Sequence, residues 1–182
     1  MKPRHRPSSN WHIPIFFALT LHVSSANADK DKRADVLMLA LPASAYLLTL
    51  NKHDKQGAWA LTKSLGLSAA GTLALNSIID KDSPNGSGSD AFPSGHAAIA
   101  FGSAAFIQKR YGWRPGILAY FVASYVGWLR VETDDHDNAD VVAGAAVGIL
   151  SSYLLTRAFD DNVRASAWAD GKSAGLQIQV RW

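Results

Sequence analysis

Five stretches of this chain are apolar almost all round, and short polar connections separate them. Residues 34–50 (ADVLMLALPASAYLLTL) are the most apolar, with Pro42 as an expected kink. Residues 58–79 are rich in Ala and Leu, and stretches 94–110, 116–131 and 138–159 follow. Helices that lack a polar face belong in a membrane or in a tightly packed helical core. Small residues, Ala97 to Ala105 and the Gly144-Ala-Ala-Val-Gly148 spacing, permit close helix–helix approach. The connections NKHDKQG, DKDSPNGSGSDAFP and RYGWRPG carry turn residues. The pattern changes at the end, where Leu176, Ile178, Val180 and Trp182 alternate with Gln177, Gln179 and Arg181. That is the signature of a half-buried strand, and no partner strand is evident elsewhere. The expected fold class is all-α, a bundle of five to six helices, membrane-embedded, with a short β-like tail over residues 161–182.

The N-terminus reads differently. Lys2, Arg4 and Arg6 precede IPIFFALTLHV, and SSANAD follows, with an Ala-x-Ala ending at Ala28. This is the pattern of a secretory signal peptide over residues 1–28. A first membrane helix is the other reading, although the apolar run falls short of the ~20 residues a span needs. Residues 29–160 then form the helical domain. Lys52, Lys55, Lys109, Arg110 and Arg114 fall in two connections at one end of the bundle. The acidic connections DKDSPNGSGSD and ETDDHDNAD fall at the other, so the positive-inside rule turns the acidic end outward. Only DKDKR at residues 29–33 goes against it.

Composition narrows the classes. The chain has 182 residues, 48% hydrophobic and 18% charged, enough for one core and too short for two ordinary domains. A net charge of +3 from scattered basic residues, without a basic stripe and interleaved aromatics, argues against a nucleic-acid partner. The absence of cysteine removes disulfides, zinc–thiolate sites and thiol nucleophiles together.

The candidate chemistry lies in the two acidic connections. In DAFPSGHAAIAF, Pro93 suits a helix start, which would leave the N–H groups of Ser94, Gly95 and His96 in the unsatisfied first turn. Such a site suits an anion, phosphate above all. In LRVETDDHDNADVVAG, His136 and Asp140 are four apart, so the carboxylate is expected to accept the imidazole Nδ1–H and leave Nε2 free. Arg130 precedes them at the end of a helix, where its fork suits phosphate oxygens. Each feature alone has a bland reading: an ordinary turn, a local hydrogen bond, a solvated charge. A divalent metal on His96, His136 and Asp140 is a further reading, but no recognised ligand spacing supports it.

Pro-Ser-Gly-His followed by Arg-x5-His-x3-Asp resembles the type 2 phosphatidic acid phosphatase (PAP2) superfamily, which also includes bacterial acid phosphatases and vanadium haloperoxidases. The resemblance runs from about Ala58 to Leu155 and implies a PAP2-type helical bundle with metal-independent phosphatase activity and no cofactor. It implies that His136 attacks phosphorus to form a phosphohistidine and that Asp140 orients it. His96 would protonate the leaving oxygen and then activate water. Ser94, Gly95 and Arg130 would hold the phosphate, and the partner would be a phosphorylated lipid or small phosphate ester at a membrane. The family's first motif, Lys-x6-Arg-Pro, is degenerate here: Asn76 and Ser83 stand at its basic positions and only Pro84 remains. Lys81 is near enough in sequence to substitute in part. Two readings therefore stay open, an exported lipid phosphatase of the bacterial inner membrane with a periplasmic site (a soluble periplasmic protein being the alternative location), and a catalytically impaired relative that binds a ligand or partner.

Overall fold

The computed structural model describes residues 28–86, 88–159, 163–170 and 173–180, the last two as backbone. The signal-peptide or first-helix reading of residues 1–28 falls, Ala28 apart, outside the described residues. Five helices follow in order: α1 (Ala28–Asn51), α2 (Lys55–Asn76), α3 (Gly95–Tyr111), α4 (Trp113–Glu132) and α5 (Asn138–Leu155). α1 begins earlier than its apolar pattern, taking in the charged residues 29–33, and runs on through Pro42 as one helix.

α3 is the central element and packs against each of the other four helices. Its inward residues are small, which is why it can hold that place: Ala97, Ala98, Ala100, Gly102, Ser103, Ala104 and Ala105 are all buried. Against α5 the approach is backbone to backbone. A Cβ on Gly148 would collide with the Ala98 carbonyl oxygen, and one on Gly144 with that of Ser94. Ser152 Oγ donates to the Gly102 carbonyl at 2.6 Å across the same seam. Larger side chains, Leu61, Phe106, Ile107, Val126 and Leu129, fill the remainder of the core.

The outside is apolar. Leu39, Leu47, Leu50, Trp59, Leu73, Phe121, Leu150 and Leu154 are all exposed, whereas Ser64, Ser68, Ser103, Ser151 and Ser152 are buried. Small and hydroxyl-bearing residues inside with bulky apolar residues outside is the arrangement of helices packed in lipid. Asp29–Asn51 and Asn138–Leu155 are long and apolar enough to cross a membrane.

The two ends of the bundle differ in charge, as the sequence implies. At one end Arg110 is not a solvated loop cation but a buried one. It donates to Asp54 through Nε (2.7 Å) and Nη2 (2.6 Å), and through Nη1 to the Arg157 carbonyl (2.8 Å). Tyr111 Oη donates to the same carboxylate at 2.9 Å. Burial raises the Asp54 carboxyl, but the Arg110 guanidinium, the Gly57 N–H and the Tyr111 hydroxyl outweigh it and hold it below its usual range. At the other end the α2–α3 and α4–α5 connections meet. Asn85 donates through its backbone N–H to Asp134 O (2.9 Å) and through Nδ2 to Asp135 Oδ1 (2.8 Å).

The C-terminal segment does have a partner. Strand β1 (Val163–Asp170) pairs antiparallel with β2 (Ser173–Val180), in a register that sets Ala165 opposite Ile178 and Ala167 opposite Leu176. The alanine-rich first strand carries too little β-propensity to be read as one.

Candidate active site

The starts of α3 and α5, distant in sequence, are stitched together. Ser94 donates its backbone N–H to the Asp140 carbonyl at 3.0 Å. Ser94 is fully buried and caps α3, its Oγ accepting from Ala97 N at 3.4 Å. Two expectations change here. Pro93 precedes the cap after a cis peptide bond instead of occupying the first helical position, and the Ser94 N–H is already used. The N–H groups of Gly95 and His96 remain without an acceptor among the described residues, so the helix start keeps two donors.

His136 sits on the other side of this junction. Its Nδ1 donates to the Ala91 carbonyl at 2.8 Å, while Asp140 Oδ2 is 3.9 Å away. The expected His–Asp hydrogen bond is thus replaced by a backbone acceptor, because α5 begins only at Asn138 and His136 lies ahead of the helical repeat. The consequence for the ring is the same: Nδ1 holds the proton and Nε2 is free. Burial pushes the His136 pKa below its ordinary value, and the Arg130 charge adds to this. The Ala91 carbonyl and the Asp140 and Asp135 carboxylates oppose it without prevailing.

Asp140 is fully buried and has other work. It completes a capping box by accepting the Asp137 N–H at 2.9 Å, and it accepts Lys81 Nζ at 2.5 Å. Lys81 also donates to Asp137 at 2.7 Å. Desolvation alone would lower the Lys81 pKa, but the two carboxylates raise it, so the ammonium stays charged. Lys81 is placed by its backbone, whose carbonyl accepts the Ala91 N–H at 3.0 Å, on the segment that carries the His136 acceptor.

Arg130, near the end of α4, is largely buried. Its Nη2 is 3.1 Å from Asp135 Oδ2 and its Nη1 3.5 Å from Asp31 Oδ1, while Nε has no partner among the described residues. Burial raises the Asp135 carboxyl, yet the Thr133 hydroxyl, the Arg130 charge and the Asn85 amide hold it below its usual range. His96 Nε2 lies 2.7 Å from Asp35 Oδ1. Asp31 and Asp35 carried no weight in the sequence reading. Their signal was there: two carboxylates one helical turn apart at the head of α1, at the acidic end. The degenerate motif supplies no cation. Asn76 Nδ2 reaches the Asp90 carbonyl at 3.3 Å while its buried Oδ1 has no partner among the described residues, and Ser83 donates its N–H to Gly88 O at 2.7 Å. Among the described residues, no three His, Asp or Glu side chains are grouped to hold a metal ion.

Residues 71–164 match the PAP2 superfamily. The chain belongs to that superfamily. Among its relatives, the lipid A 1-phosphatase of Porphyromonas gingivalis is 40% identical over 74 residues, covering 39% of this chain and 17% of that protein. The lipid A 4'-phosphatase of Helicobacter pylori is 36% identical over 64 residues, or 35% of this chain and 32% of the relative. The chloroplastic lipid phosphate phosphatase epsilon 2 of Arabidopsis thaliana is 31% identical over 129 residues, or 65% and 44%. The chain spans less than half the length of each of these PAP2 relatives. In structure it is similar to Aquifex aeolicus LpxE, with a TM-score of 0.59 at 18% identity over 70% of this chain and 83% of the other. At that identity the likeness establishes the PAP2 helical fold.

Proposed function

We propose that this protein is a metal-independent phosphatase acting on the phosphate of a lipid, through a phosphohistidine, at the periplasmic face of a bacterial inner membrane. The observation that carries the reading is the junction of the two helix starts. An imidazole locked through Nδ1 on the Ala91 carbonyl keeps Nε2 free, and the α3 start tied to Asp140 keeps two unused N–H donors. His136 Nε2 attacks phosphorus while His96 gives a proton to the leaving oxygen, breaking the P–O bond. Water then attacks the phosphohistidine, His96 takes its proton, and the P–N bond breaks to release phosphate. Gly95, the Ser94 cap and Arg130 hold the phosphate oxygens. Lys81 neutralises Asp140 and Asp137, so that the carboxylates nearest the nucleophile do not repel a dianion.

The names of the relatives support a lipid phosphate as substrate, and the uncovered apolar exterior supports a protein embedded in lipid. Export by residues 1–28, with residues 29–160 as the catalytic bundle and the tail as an appendage, places the acidic end outward. Protein purified in detergent should release phosphate from at least one member of a panel of phosphatidic acid, polyprenyl diphosphate and lipid A, and His136→Ala should abolish it. Well-folded protein inert on the whole panel overturns the proposal.

One observation favours the second reading, an impaired relative that binds without turnover: Arg130, His96 and Lys81 each already face an aspartate. The pair Asn76→Lys and Ser83→Arg separates the two. A working site gains little from the added cations, whereas an impaired one acquires activity.

A further inference from the structure

α1 contributes two carboxylates to the acidic end. Asp31 and Asp35 are one turn apart on one face of α1, which packs against both α3 and α4. Asp31 approaches Arg130 Nη1 at 3.5 Å, and Asp35 Oδ1 lies 2.7 Å from His96 Nε2. The two contacts therefore fall on neighbouring parts of one site, although α1 lies outside both sequence motifs.

A carboxylate at 2.7 Å from a ring nitrogen requires that nitrogen to carry the proton. The structure assigns Asp35 as the positioning residue of His96: it accepts Nε2–H, fixes the ring, and leaves Nδ1 as the nitrogen that exchanges a proton with the leaving oxygen and then with water. This rests on the reading of His96 as the acid of a phosphatase. The proton balance is simple. The imidazolium loses its Nδ1 proton as the P–O bond breaks and regains one from water in the second step. Asp35 remains a carboxylate throughout, as does the carboxylate of a catalytic triad. The arrangement complements His136, whose Nδ1 is the anchored nitrogen and whose Nε2 is free. One histidine is held by backbone through Nδ1, the other by a side chain through Nε2.

Exposure supports an orienting over a stabilising role. The Asp35 side chain is 57% exposed and His96 25%, so water screens the pair and its contribution to stability is small. What a solvated carboxylate at this distance does determine is which ring nitrogen carries hydrogen.

The test uses Asp35→Ala and Asp35→Glu in the full chain, with circular dichroism to check folding; alanine suits an exposed helical position. With a lipid phosphate in micelles, Asp35→Ala should lower kcat about tenfold or more and leave KM within about twofold, since the acid acts in the transition state. Asp35→Glu should restore part of the loss. An unchanged kcat, or a rise in activity with a falling KM, overturns the assignment, the latter showing a carboxylate that merely blocks the site. Nitrogen-15 spectra of histidine-labelled protein, assigned with His96→Gln, give a readout independent of turnover. At a pH where the ring is neutral, His96 should be the Nε2–H tautomer in the wild type and a mixture in Asp35→Ala; a mixture already in the wild type overturns the inference. A wild type without turnover that still shows this tautomer shift refutes the phosphatase reading and leaves the contact intact.

Discussion

The Lys81 ammonium meets the buried Asp140 carboxylate at 2.5 Å, joining the loop after α2 to the first turn of α5. Asp140 is wholly inaccessible whereas the Lys81 side chain is 31% exposed, so the pair is asymmetric. Removing the lysine strands a buried charge. Lys81→Met should destabilise the protein by about 2–3 kcal/mol, below the 3–5 typical of fully buried pairs because water reaches the lysine. Thermal unfolding in detergent should show this as a drop of about 5–10 °C. An unchanged melting temperature would mean that Asp140 finds other compensation.

The depressed pKa of His136 has a sign that can be followed in both activity and stability. The folded state disfavours the charged ring, so the imidazole proposed as nucleophile stays neutral below the ordinary value of about 6.5. The acid limb of kcat/KM, which reports the free enzyme, should therefore inflect below pH 6.5. The unfolded chain takes up a proton near 6.5 and the folded chain only at lower pH. His136 thus contributes stability above 6.5 that is lost as pH falls from there through the folded pKa. A melting temperature that falls over this interval in the wild type, and falls less in His136→Gln, is the expected result.

Two glycines of the site differ in what they tolerate. A Cβ at Gly144 would strike the Ser94 carbonyl, which is backbone and cannot swing away. Gly144→Ala should part the two helix starts, cost about 1–3 kcal/mol and abolish activity. A Cβ at Gly95 would meet only Thr72 Cγ2, at an ordinary 3.9 Å. Gly95→Ala should keep its melting temperature and yet raise KM, because the methyl stands where a phosphate oxygen would approach the N–H groups. A variant that melts low instead would make Gly95 a packing residue.

Much of this was legible along the chain. All five helices follow from apolar runs, and the segregation of acidic and basic connections to opposite ends follows from their charges. The residues grouped at the acidic end were visible because Ser94, Gly95, His96, Arg130, His136 and Asp140 lie in two short motifs. What escaped depends on tertiary proximity. The acceptor for His136 is a backbone carbonyl, which no side-chain pattern encodes. Asp31 and Asp35 belong to neither motif, and only packing sets them against Arg130 and His96. Sequence places Arg110 only by its charge at the basic end, because its partner Asp54 belongs to another connection.

Asp31 and Asp35 share a face of α1, yet their chemistry predicts opposite outcomes. If Arg130 holds the anionic phosphate as proposed, Asp31 at 3.5 Å from Nη1 competes for the same fork. In the proposed mechanism His96 gives and takes a proton, and there a carboxylate on its other nitrogen helps. Asp31→Asn should therefore lower KM while Asp35→Ala lowers kcat. The gain is modest, since Asp31 is 52% exposed and Asp135 holds Nη2 at 3.1 Å in either case. An exposed pair is worth about 0.2–1 kcal/mol, so KM should fall by about 1.4- to fivefold. Because the competition is electrostatic and open to water, the difference between Asp31→Asn and the wild type should shrink as salt rises toward 1 M, where the screening length is about 3 Å. A KM that rises in Asp31→Asn would give Asp31 a different role, holding the guanidinium in place for the phosphate.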